Sequence, residues 1–394
     1  MNGSTDSSGG VRRALRAAWL GLALVGCGGG VDSGGTGNPT FASGTITGFG
    51  SVIVDGVHFD DTHASVVDGD GAVRSRDDLR LGMTTEIRGS ALGTDGFGTT
   101  VSTATSIAFG SALLGPVSTI DLTASRVVVL GQTVDIGART VFDEASLSSG
   151  LAALVLGDVV EVYGLFDAAT GHYAATRIER KSGVTGFVLR GVVAQLDTAA
   201  KTFSIGGQRM SYATFTGTLP ATFANGGMVR VRFGTAQDAG AWPVNGLSDS
   251  TQQPMDRDEV RLDGLVSAFV SNQQFSVGGT PVDATAVNPA GVALGVRVEV
   301  EGTARAGVLV ATKVELKASD GSGDQDFELR GSVASADPAN SSFVVRGVTV
   351  VYSMATTEFK DGTAAGLTAG ANVEVRGTLS SNGTRLLATR ITFR

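Results

Sequence analysis

Residues 298–302 read Val298-Glu299-Val300-Glu301-Gly302, and the rest of the chain is read outward from them. Valine and glutamate alternate with period two, the pattern of a strand with one buried and one wet face. The same phrase recurs as Glu86-Ile87-Arg88-Gly89, Glu161-Val162-Tyr163-Gly164 and Glu374-Val375-Arg376-Gly377. A second phrase follows it at Ala175-Thr176-Arg177-Ile178, Ala311-Thr312-Lys313-Val314 and Ala388-Thr389-Arg390-Ile391. A third opens each unit at Gly44, Gly115, Gly191, Gly264 and Gly331, spaced by 71, 76, 73 and 67 residues. Independent anchors that keep one period define a repeat array. There are five repeats.

Within a repeat the pattern is β. Val127-Val128-Val129-Leu130 runs into Gly131, and Phe343-Val344-Val345 runs into Arg346-Gly347, as strands entering tight hairpins do. The Ala/Leu-rich stretches 149–156 and 363–369 leave room for one or two helical turns ahead of the Val-Glu-Val strand. Five short strands with a helical turn between the third and fourth is the order of an OB-like barrel. Closure of such a barrel removes sheet edges that a long β array must protect. The expected fold is therefore all-β: tandem small five-stranded OB-like barrels over 41–109, 110–182, 183–250, 251–319 and 320–394. Polar linkers are expected at 248–257 and 319–326. The last barrel should close over Val333, Phe343, Val345, Val350, Val373, Val375 and Ile391.

Composition agrees and excludes other classes. Gly supplies 57 of 394 residues, which suits tight corners, and aromatics are only 6%. A hydrophobic content of 42% rules out wholesale disorder. The formal charge of −8 argues against a nucleic-acid partner. One cysteine cannot form an internal disulfide.

That cysteine carries an address. Arg12, Arg13 and Arg16 precede the apolar run 17–25, which is shorter than the ~20 residues of a spanning helix but suits a signal peptide. The run ends in Leu24-Val25-Gly26-Cys27, which resembles the bacterial lipobox. The resemblance implies cleavage of a signal peptide, 1–26, and lipidation of Cys27. Residues 27–40 then form a Gly-rich tether. Gly28, rather than Asp, follows the cysteine, and the resemblance therefore implies the outer membrane, reached through the N-terminal lipid. Loss of three arginines and Asp6 moves the formal charge from −8 to −10.

The repeats and the lipobox together resemble the proteobacterial lipoproteins built from tandem copies of domain of unknown function 5666. Residues 44–59 are the most family-like segment, and the resemblance is taken over 41–394. It implies an envelope protein with barrel-like repeats and no assigned reaction.

Candidate chemistry is sparse. There is no Gly-x-Ser-x-Gly, no phosphate-binding Gly-rich loop and no His-Glu-x-x-His, so neither an enzyme nor a cofactor is expected. The expected function is a non-catalytic scaffold or binding module of the envelope, with envelope protein or polysaccharide as partner. The alternatives are a metal- or anion-binding protein and, behind these, a hydrolase. His58 and His63 frame Asp60 and Asp61 and are the candidate metal ligands. An odd spacing on one strand would send them to opposite faces, and two solvated histidines around a turn is the competing reading. Asp68-Gly69-Asp70-Gly71 reads as a hairpin turn rather than a calcium loop, because Ala72 and Val73 stand where a ligand and a Gly are needed. Asp320, Ser322, Asp324 and Asp326 read as a solvated acidic linker. Glu86, Glu161, Glu299 and Glu374 read as outward partners of inward valines, paired with Arg or Lys.

The third repeat departs from the rest. Residues 183–247 carry a net +3, and Val229-Arg230-Val231-Arg232-Phe233 replaces Val-Glu-Val. Trp242-Pro243 stands where others have Ala-Thr. Arg230 and Arg232 would share an outward face, and with Trp242 they are the candidate site for an anionic polysaccharide or lipopolysaccharide. The competing reading is a drifted spacer.

Overall fold

The computed structural model describes residues 37–250, 252–318 and 326–394. Cys27, the expected signal peptide and most of the expected acidic linker lie outside them. Strand segments at the five repeat positions each close a small barrel. In barrel 2 they are Leu113–Asp121, Arg126–Val129, Gln132–Phe142, Val159–Asp167 and His172–Arg180. The first strand pairs antiparallel with the second and the fourth, the second with the third, and the fourth with the fifth. The third pairs parallel with the fifth and closes the ring. The same parallel closure recurs in the other four barrels. This is the OB-like order.

A parallel closure needs a crossover, and the crossover is where the helical turn was expected. It is a single 3-10 turn at Arg76–Asp78, Gly150–Ala153 and Ala364–Gly366 in barrels 1, 2 and 5. Nothing longer than a turn fits because the loop has only to cross the barrel bottom. The second and third strands are joined by two-residue turns in which both positions have positive φ: Asp55-Gly56, Leu130-Gly131, Gly206-Gly207, Gly278-Gly279 and Arg346-Gly347. Such turns match the twist of the strands they join, which is why Gly always takes the second position.

The glycine that ends each Val-Glu-Val phrase has a separate cause. The fourth and fifth strands slip register immediately before Gly89, Gly164, Gly302 and Gly377. At this bulge a Cβ on Gly302 would lie 2.1 Å from the Val310 carbonyl oxygen, and one on Gly377 2.2 Å from that of Leu387. Only glycine admits the approach.

Inward valines form the cores. Val298 and Val300 are fully buried in barrel 4, and all seven residues expected to close barrel 5 are buried. The cores are not five separate ones. Barrels 1 and 5 share one continuous apolar cluster that also takes in Val141 and Tyr163 of barrel 2, barrels 2 and 3 share another, and barrel 4 packs its own together with Phe41 from barrel 1.

Barrel closure leaves one edge open. The leading half of each first strand has its own fourth strand on one side and nothing from its own barrel on the other. Other repeats cover it. Thr40–Ser43 of barrel 1 pairs in parallel with Glu259–Leu262 of barrel 4, and Gly48 and Phe49 pair with Glu328 and Leu329 of barrel 5. Barrels 2 and 3 pair antiparallel, Leu113 with Leu189 and Leu114 with Val188. Leu189 is the counterpart of Leu113 by the 76-residue spacing, so the two barrels meet about a local pseudo-two-fold. Their hairpin tips obey it. Gln132 donates to the Gly206 carbonyl, while its counterpart Gln208 occupies the space that a Cβ on Gly131 would need.

Residues 248–257, expected as a polar linker, are strapped to barrel 1 over those described. The Gln252 N–H donates to Glu86, Arg88 donates to the Gln253 carbonyl, and Arg88 pairs with Asp258 at 3.0 Å.

Candidate functional site at the seam of barrels 1, 2 and 3

The Asp68-Gly69-Asp70-Gly71 loop is a hairpin turn, and its chemistry faces another barrel. One oxygen of Asp68 accepts the N–H groups of Asp70 and Ala72 at 2.9 and 3.0 Å, and the other binds Arg74. Burial pushes this carboxyl up, but Arg74 and the two backbone donors outweigh it and hold it below its usual range. With the turn fixed, Asp70 points at barrel 3. Its carboxylate pairs with Arg230 and lies 3.4 Å from Arg232. Gly69 lets the arginine through, since a Cβ there would stand 2.8 Å from Arg230 Nε.

The basic face of the third repeat is therefore an internal seam. Arg230 and Arg232 do share one face of their strand, as alternation requires, but Asp70 of barrel 1 lies against it: Arg230 is only 8% exposed, while Arg232 keeps about half of its side chain in solvent. Arg190 lies directly across the strand pair from Arg230. Burial pushes its guanidinium down, and the charge of Glu86 opposes that shift. Glu86 is itself pushed up by burial, against the pull of the Gln252 N–H and of Arg190 and Arg88. Trp242 is no exposed stacking platform. Its ring packs against Phe187 and Phe233 at 6.0 and 5.1 Å, and its indole N–H donates to Gln208.

His58 and His63 are not joined by a third metal-ligating side chain. His58 sits beside Ser51 Oγ at 3.3 Å, and His63 is exposed in the following turn. Among the described residues no group of three or more His, Cys, Asp or Glu is arranged to hold a metal. The strand that carries His58 ends at Asp60, and His63 follows in the turn beyond it. His172, not singled out from the sequence, is the more structured histidine. Its Nδ1 lies 2.9 Å from Asp135, whose other oxygen accepts from Arg126 at 2.5 Å. The three come from three adjacent strands, a juxtaposition that sequence spacing does not reveal.

Three of the four recurring glutamates stand as outward partners. Glu161 pairs with Lys181 at 3.0 Å, Glu299 with Lys317 at 2.7 Å and Glu374 with Arg394 at 2.6 Å. Glu86 is the exception, because the strap and barrel 3 lie over it. The barrel 2 ladder also forms one wall of a cleft of about 310 Å³. Glu161, Glu179, Lys181 and Tyr163 line it together with Asp68, Arg74, Asp78 and Arg80 and with the apolar Met83 and Phe109, four carboxylates against three cations. Glu179 is held low because Arg177 and Lys181 outweigh its burial. The charges lining the cleft thus largely neutralise one another.

Three stretches match the model of a family described as Domain of unknown function (DUF5666): residues 115–179, 263–315 and 330–392. The chain is built of tandem repeats resembling DUF5666. The matched stretches fall in barrels 2, 4 and 5. Residues 44–59, expected to be the most family-like segment, lie outside them, as does barrel 3. Barrel 1 carries an inserted hairpin, Ser65–Asp68 with Val73–Arg74, and barrel 3 carries the Val-Arg-Val-Arg strand and Trp242-Pro243. No curated protein matches the chain. A solved structure, drosophila Unr CSD456, is similar at 12% identity over 72% of this chain and 97% of that one. Its TM-score of 0.12 carries no argument.

Proposed function

We propose that the chain is a non-catalytic scaffold or binding module of the cell envelope, held at the outer membrane by a lipid on Cys27. One observation carries the scaffold reading. The leading half of every first strand is taken up by another repeat, so the barrels are joined by main-chain hydrogen bonds rather than hung on linkers. A scaffold needs fixed spacing between its parts, and paired strand edges supply it. Of the two arginines that would serve an anionic polymer, Arg230 is buried against Asp70, which favours a scaffold over a polysaccharide binder.

A second reading, a small polar ligand in the cleft between barrels 1 and 2, is supported by its volume. About 310 Å³ lies at the lower end of small-molecule sites, roughly 300–1,000 Å³.

Fractionation tests the anchor: the parent chain should pellet with outer membranes and Cys27→Ser should be released. Capture from envelope extract with the mature chain tests the scaffold reading, which expects a protein partner retained at high salt. Polysaccharide as the sole captured material, lost when salt rises, would overturn it in favour of an electrostatic binder.

A further inference from the structure

The first strands of barrels 1 and 4 start level, with Thr40 opposite Glu259. The Glu259 N–H donates to the Pro39 carbonyl, which ties the incoming chain to this end. The fourth strands run the other way, so Gly89 lies opposite Thr40 and Thr303 opposite Glu259. Both fourth-to-fifth hairpins therefore leave at the end where the chain enters. Their tips are Asp95-Gly96-Phe97-Gly98 and Arg305-Ala306-Gly307. The strap finishes here too, with the Arg257 N–H on the Ala304 carbonyl and the Ala306 N–H on Asp256. Gly37 lies so near that a Cβ on it would stand 2.8 Å from that of Ala91.

This end holds two large apolar side chains out into solvent. Phe97 is 92% exposed and Met255 59%. Phe97 is presented by a built turn, since one oxygen of Asp95 accepts the N–H groups of Phe97 and Thr99 at 2.9 and 2.8 Å. Arg257 and Arg305 are exposed and make no ion pair among the described residues. Of the carboxylates of this end, Asp95 and Asp256 accept backbone N–H groups, Asp258 pairs with Arg88, and Glu259 starts the barrel 4 strand.

We propose that this end of barrels 1 and 4 is a phospholipid-contacting face, with Phe97 and Met255 entering the headgroup region and Arg257 and Arg305 meeting lipid phosphates. The inference rests on the lipidation of Cys27. The chain from Cys27 to Gly37 can span at most roughly 35 Å. An anchored chain therefore holds this end within that reach of the bilayer. Two apolar tips bind a membrane weakly on their own. The tether makes the contact intramolecular, and the resulting effective concentration populates it.

The test uses lipidated protein carrying Phe97→Trp, reconstituted into phosphatidylethanolamine/phosphatidylglycerol vesicles with brominated acyl chains. Trp242 of the parent chain serves as reference. The substitution sits at a hairpin tip outside every core, so folding is not at stake. The indole introduced at the tip should lose intensity against unbrominated vesicles and shift to the blue, while Trp242 does neither. Vesicle-bound protein whose introduced indole is neither quenched nor shifted overturns the lipid-facing assignment. Protein that washes off the vesicles with an unmodified Cys27, as read by the mass of its N-terminal peptide, overturns the anchor itself and this inference with it.

Discussion

Asp70 and Arg230 stand 160 residues apart in the chain, and their side chains form an ion pair that joins barrel 1 to barrel 3. The turn that aims Asp70 and the strand that aims Arg230 are each local products of sequence. Their meeting is not.

Removing one partner of this pair should cost more than replacing the other. Asp70→Ala leaves Arg230 buried without a counter-charge and should destabilise by about 3 kcal/mol. Arg230→Met keeps the packing and leaves Asp70 to Arg232, so it should cost clearly less. Urea midpoints of the two variants check the order, and an equal loss in both would refute it.

Asp55 gives a pH dependence with a definite sign. It tips the hairpin of barrel 1 that abuts barrel 4, and its Oδ2 is buried with no hydrogen-bond partner. Burial raises its carboxyl well above the usual value, and Glu299, Asp263 and Glu301 add to this while Arg261 opposes it. The folded state therefore keeps a proton that the unfolded chain has lost. Stability should fall as pH rises from about 4 through the raised value and stay lower above it. Asp55→Asn keeps a favoured Asn-Gly turn and removes the titration. It should melt higher than the parent at pH 7 and converge with it near pH 4, as thermal scans across pH would reveal.

Glycines of two kinds should respond differently to alanine. At Gly302 a Cβ meets the Val310 carbonyl oxygen at 2.1 Å, so Gly302→Ala must displace the fifth strand and should cost about 2–3 kcal/mol. At Gly307 the space is open and only the positive φ of 80° objects, for about 1 kcal/mol. Denaturant titration of both variants separates steric from conformational need.

The shared core predicts shared unfolding. Phe343 is 1% exposed in barrel 5, in the cluster that continues into barrel 1. Phe343→Ala should cost about 3–5 kcal/mol. Amide exchange should then accelerate in the strands of barrel 1 as well as barrel 5, and least in barrel 3, whose core residues all lie in the other cluster. Acceleration confined to barrel 5 would mean that the barrels open independently.

Much of the barrel was legible because its determinants are local. Period-two alternation named the strands, and Val298, Val300 and the barrel 5 core fell where that alternation put them. Leu130-Gly131 and Arg346-Gly347 marked hairpins because a two-residue turn needs positive φ. The glutamate ladder was legible for Glu161, Glu299 and Glu374, whose partners lie on the neighbouring strand of the same hairpin. It failed for Glu86, because what covers that residue comes from a different repeat.

The sequence by itself determined the repeat, its strand order, its turns and the inward faces, since each depends on contacts within roughly 70 residues and on backbone geometry that residue type controls. Only the tertiary structure decided which repeat lies against which. Open first-strand edges are main-chain surfaces and look alike in every repeat, so side chains do not announce the pairing of barrel 1 with 4 and 5 or of 2 with 3. The same holds for Arg230 and Arg232. Alternation correctly placed them on an outward face, but whether that face meets solvent or Asp70 depends on how whole barrels dock.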